Sequence, residues 1–171
     1  MKLLIDFILY FTAMCAVIWV ITQIEKEFMI RNSENPCEIY DLRSLEVFKA
    51  LRVFTSLVAG VEVTLFGTQS AFFLKLPFGV ALILSGLIFR ILAIRSLGEF
   101  WSFHVVRYVD QPLVKSGIYR HISQPAYLGN IYLIGIYLAF GALLTTAIAT
   151  VWIIAFAAYR IQIERAHKLC L

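Results

Sequence analysis

The stretch Leu113–Asn130, LVKSGIYRHISQPAYLGN, holds two tyrosines, a glutamine, a histidine, an arginine, a proline and two glycines within eighteen positions between apolar runs. It contributes Tyr119, Gln124, Pro125, Tyr127 and Gly129 to a possible binding site. A preceding piece, SFHVVRYVDQPLV, adds Arg107 and Gln111, and a later one, YRIQIERAHKL, adds Arg160 and Glu164. Pro125 suits the first turn of a helix, where a missing N–H costs nothing. The free N–H groups that follow would face a carboxylate or phosphate. Arg160 and Glu164 stand four residues apart and so share one helix face. By spacing alone they could form a plain surface ion pair. Their position argues for more: only about one residue separates the last two apolar runs, so the chain returns and sets both side chains near Gln124 and Tyr127.

Other chemistries lack their residues. His104, His121 and His167 have no second ligand at metal spacing. Cys15, Cys37 and Cys170 share no metal or redox spacing, and no dinucleotide fingerprint, P-loop or nucleophile elbow occurs. No metal is expected. The net charge of +4 is spread along the chain without a basic, aromatic-laced face, so nucleic acid is not an expected partner.

The elements that position these residues are membrane helices. The 171-residue chain is 61% hydrophobic with a mean hydropathy of +0.83, too apolar for a soluble domain. It is expected to be all-α, a single membrane domain of about five spans: Leu3–Gln23, Val53–Gln69, Pro77–Ile94, Pro125–Phe140 and Ala142–Tyr159. The last two form a tight helical hairpin. Residues 1–94 carry three spans and a connector, and residues 95–171 carry the cofactor region. The first run has the length of a span and no Ala-x-Ala-like site, so it is expected to remain uncleaved. RNSENPCE reads as a loop, and DLRSLEVFKALRVF as an amphipathic approach to the second span.

Twelve basic residues, from Lys26 to Lys168, fall on one side of these spans and only Lys2 and Lys75 on the other. This places the N-terminus outside, with the site and the C-terminus in the cytoplasm. Within the spans, Arg90 either snorkels to the headgroups or pairs with Glu62, although their depths differ by roughly 9 Å. Buried polar residues near Arg90 and Arg160 suggest a lipophilic acceptor entering from the bilayer.

Leu113, Val114, Gly117, Tyr119, Pro125, Tyr127 and Gly129, followed by Arg160 and Glu164, resemble the isoprenylcysteine carboxyl methyltransferase family, a relative of the phospholipid methyltransferases. The resemblance covers about the last eighty residues. It implies an integral membrane enzyme that transfers methyl from S-adenosylmethionine to a lipophilic acceptor, above all an isoprenoid, prenylcysteine-like or other lipid acid. Cofactor contacts are implied for Arg107, Gln111, Pro112, Leu113, Val114, Tyr119, Gln124, Pro125, Ala126, Tyr127 and Glu164. Arg160 is implied as the catalytic, substrate-binding residue; Arg90 is expected beside the acceptor because it is a polar residue at membrane depth. The family's Arg-His-Pro is Ser123-Gln124-Pro125 here, replacing an imidazole by a neutral amide. Two alternatives stay open: an NADPH-dependent membrane reductase of the steroid-reductase type, and a non-catalytic lipid- or partner-binding relative.

Overall fold

A computed structural model describes residues 1–28, 37–41, 43–66, 72–108 and 116–166, without the side chains of 37–40, 72–74 and 105–108. Helices dominate. In order they are α1 (Lys2–Phe28), α2 (Arg43–Phe66), α3 (Phe72–Leu97), α4 (Pro125–Leu128), α5 (Ile131–Ala139) and α6 (Leu143–Ala166). Short 3-10 turns stand at Gly98–Phe100 and Gly117–Arg120.

One element departs from an all-helical expectation. Strands β1 (Cys37–Asp41) and β2 (Val105–Tyr108) pair antiparallel, with Glu38 opposite Arg107 and an irregularity between Ile39 and Asp41. The connector after α1 is thereby tied to the segment after α3. At the end of β1, Asp41 Oδ1 accepts the N–H groups of Arg43 (3.0 Å) and Ser44 (2.9 Å), satisfying donors that the first turn of α2 leaves open. The amphipathic approach and the described part of the expected second span form one continuous helix, α2.

Asp41→Ala should therefore cost about 0.5–2 kcal/mol, read from unfolding midpoints in detergent. Burial pushes the Asp41 carboxyl upward, but hydrogen bonds from Ser44 and Arg43 outweigh it and hold the group below the usual carboxylate range. A folded pKa below the unfolded value of about 3.9 makes the cap's contribution complete above that pH. It fades as pH falls through the lower folded value, and the mutant should lack this acid-side loss.

Among the described residues three helices, α1, α3 and α6, are long and apolar enough to cross a membrane; α2, which holds the described part of the expected second span, is not one of them. The expected fourth span falls short, because Pro125–Ala139 is an apolar run of fewer than 18 residues. It is also not one regular helix, since α4 passes into α5 through the turn at Gly129–Asn130. Helix α5 is apolar for another reason: Tyr132, Leu133, Gly135, Ile136, Tyr137 and Ala139 are buried, which makes it the post around which the longer helices pack.

Glycine lets α3 reach that post. A Cβ at Gly86 would lie 2.6 Å from Tyr132 N, and one at Gly79 would lie 2.6 Å from Ala139 N. The crossing is backbone against backbone, as small residues permit between membrane helices. Outward-facing Leu4, Phe54, Leu84, Val151 and Ile154 supply the apolar surface that lipid would cover.

Glu62 does not pair with Arg90. Its carboxylate accepts Leu144 N–H (2.8 Å), Thr145 N–H (2.8 Å) and the Thr145 hydroxyl (2.7 Å), closing the start of α6. A negative group is favourable at a helix N-terminus, so the depth difference between Glu62 and Arg90 is accounted for by a different partner for each.

Candidate active site

The ends of α1, α3 and α6, the start of α2, and the Gln124–Tyr127 segment converge on a cavity of about 410 Å³. That lies within the usual range for small-molecule sites. Its walls include Glu25, Arg52, Arg90, Trp101, Phe103, Tyr119, Gln124, Ala126, Tyr127, Arg160 and Glu164.

Arg90 is anchored rather than snorkelling. Its Nε donates to Glu25 Oε1 (3.0 Å) and its Nη2 to Glu25 Oε2 (3.3 Å), while Nη1 donates to the Ala126 carbonyl (3.1 Å). Its guanidinium also lies over the rings of Trp101 (5.3 Å) and Phe103 (5.9 Å). The close approach rests on Gly129, where a Cβ would collide with Arg90 Cγ and Cδ at 2.6 Å. With its charge matched inside the protein, Arg90 holds the floor of the cavity together and is not a free receptor for an acceptor's anion.

Glu164 faces the cavity, accepting hydrogen bonds from Gln124 Nε2 (3.0 Å) and from the Tyr127 hydroxyl. Gln124 and Tyr127 therefore aim this carboxylate, and Gln124 uses one of its two amide N–H donors to do so. The anion site expected at the helix start is not built, since α4 is a single turn of four residues. Pro125 itself is buried.

Arg160 and Glu164 form no ion pair with each other. Arg160 is buried at 8% exposure, and both its Nη atoms donate to the Phe103 carbonyl at 3.0 Å. Its guanidinium lies over Phe156 (5.7 Å) and Tyr127 (5.9 Å), and its Nε, also buried, has no partner among the described residues. A buried N–H without a partner is costly, and a ligand oxygen at that point would meet it.

Of the residues expected around a cofactor, Tyr119, Gln124, Ala126, Tyr127 and Glu164 line this cavity. Arg107 stands in β2, and Gln111, Pro112, Leu113 and Val114 lie outside the described residues. Glu25, Arg52 and the Trp101–Phe103 segment were not expected. No group of three or more His, Cys, Asp or Glu side chains among the described residues could hold a metal.

No curated protein and no solved structure matches the chain. The profile of the Isoprenylcysteine carboxyl methyltransferase (ICMT) family matches residues 79–168, just over half of the 171 residues. The match runs from α3 through α6 and contains Arg90, Gln124, Tyr127, Arg160 and Glu164. This chain therefore belongs to the isoprenylcysteine carboxyl methyltransferase family, a family of membrane methyltransferases.

Proposed function

We propose that the protein moves a methyl group from S-adenosylmethionine to the carboxylate of a lipid acid, isoprenoid, prenylcysteine-like or similar, drawn from the bilayer. The observation that carries this is the pair of opposite charges on one cavity wall: Glu164 aimed by Gln124 and Tyr127, and Arg160 with an unmet Nε. An amino-acid tail needs an anion for its ammonium, and Glu164 is that anion. The acceptor's carboxylate needs a fixed donor, and Arg160 Nε is that donor. The lopsided distribution of basic residues supports a cavity facing the cytoplasm.

When bound, the sulfonium supplies an electrophilic methyl: a carboxylate oxygen gains the O–CH3 bond, the S–CH3 electron pair stays on sulfur, and no proton moves. Alignment is then most of what the protein must provide. Glu164 fixes one partner. Arg160, held over Phe156 and bound to the Phe103 carbonyl, fixes the other. Both clamps stand one turn apart on α6, so the helix itself fixes the distance between them.

Titrating the purified protein in detergent with S-adenosylmethionine and with NADPH, by calorimetry, tests the assignment. Saturable binding of S-adenosylmethionine without binding of NADPH is expected. The opposite result would make the protein a reductase, and silence toward both would make it a non-catalytic relative.

A further inference from the structure

A groove of about 430 Å³ runs between α1 and α2, apolar along Cys15, Ile18, Trp19 and Val53. At the end where α1 finishes and α2 begins it reaches Lys26, Lys49 and Arg52, which also line the active-site cavity. The two spaces therefore adjoin at a shared cationic wall. The cations there are not equally engaged. Arg90 is matched by Glu25, and Lys49 pairs with Glu46 at 2.6 Å. Neither Lys26 nor Arg52 has a carboxylate partner among the described residues, but Lys26 is exposed whereas Arg52 is only partly so, with its guanidinium 5.8 Å from the centre of the Phe48 ring.

From Phe48 a path of rings leads inward. Phe48 and Phe156 pack at 4.7 Å between centroids, and Arg160 lies 5.7 Å over Phe156. Two guanidiniums thus stand at the ends of an aromatic pair, one at the groove and one at the transfer site. The groove spans the twelve residues from Cys15 to Lys26, about 16 Å along α1.

We infer that the α1–α2 groove is the port and seat for the acceptor's hydrocarbon chain, and that Arg52 selects the acceptor by receiving its carboxylate before Arg160 takes it. The inference rests on the proposed methyl transfer to a lipid acid. It assigns a role to helices outside the matched residues 79–168. An anionic head is drawn to an uncompensated cation, whereas the methyl ester formed in the reaction has no charge for Arg52 to hold, so the same residue favours entry of acid and release of ester.

Trp19 lines the groove and reports on it. In neutral detergent at mildly alkaline pH, a chain-brominated fatty acid should quench tryptophan fluorescence saturably, at about tenfold lower concentration than its methyl ester. Trp19→Phe should remove that saturable component. Arg52→Gln should abolish the preference for acid over ester, and Arg52→Lys should retain most of it. In methyl-transfer assays Arg52→Gln should raise the acceptor's KM about tenfold with kcat and S-adenosylmethionine affinity little changed. Equal quenching by acid and ester in the parent would overturn the inference. So would an Arg52→Gln protein that keeps the preference, or a brominated diacyl phosphatidylglycerol that outcompetes the acid. Arg52-dependent quenching in a protein that transfers no methyl would sink the proposed reaction and leave the groove assignment standing.

Discussion

Glu25→Ala is expected to cost the fold about 3–5 kcal/mol, the usual result of removing one member of a buried ion pair. Arg90 would keep its Ala126 carbonyl and the Trp101 and Phe103 rings, but nothing would neutralise its charge. At 12% side-chain exposure it has little water to turn to, and Glu25 itself is 3% exposed. Chemical unfolding in a fixed detergent gives the measurement. The double substitution Glu25→Leu with Arg90→Leu should recover much of the loss, because it removes both desolvation costs together. It should not recover activity, since the tie between α1 and α3 beneath the cavity would be gone. A single mutant within about 1 kcal/mol of the parent, the value of a solvated pair, would show that the pair is not buried in the working protein.

Glu164→Gln is expected to weaken S-adenosylmethionine binding by about 1–3 kcal/mol while leaving unfolding nearly unchanged. The amide preserves size and can still accept from Tyr127. Its NH2 group, however, can be turned toward Gln124 Nε2, donor against donor, and it offers an ammonium no charge. The acceptor's KM should hardly move, because Arg160 and the groove are untouched. Unchanged affinity in a folded mutant would remove Glu164 from the cofactor's side of the cavity.

The convergence of Gln124, Tyr127, Arg160 and Glu164 was legible in the sequence because a short link fixes where the return helix ends. Glu25 was not singled out, though a signal existed. Met14, Ile18, Ile21 and Glu25 are spaced by four, three and four residues, one face of α1, and that face is buried. A carboxylate continuing an apolar stripe requires a cation at its level, and Arg90 at the matching end of α3 is that cation. Arg52 was passed over as one of many positive charges on its side of the membrane. Hydropathy reads the run at Pro125–Phe140 as a span because it registers apolar side chains without saying whether lipid or protein covers them, and α5 is covered by protein. The β1–β2 pairing joins segments too far apart in sequence to leave a local pattern, so it was not legible at all.

The cap at Glu62 has a consequence at the opposite end of the molecule. A helix is a stiff rod, so fixing where its first turn sits fixes where its last side chains arrive. From Thr145 to Glu164, α6 advances about 28 Å, and each residue turns the chain by about 100°. Glu62 therefore serves as a datum for the active site, from which the reach of Arg160 and Glu164 is gauged. One residue inserted between Thr145 and Arg160 would leave the cap closed while swinging both charges more than a quarter-turn out of the cavity. The spacing along α6 is in this sense a gauge length, and the protein can vary the lipid-facing identity of those residues far more freely than their number.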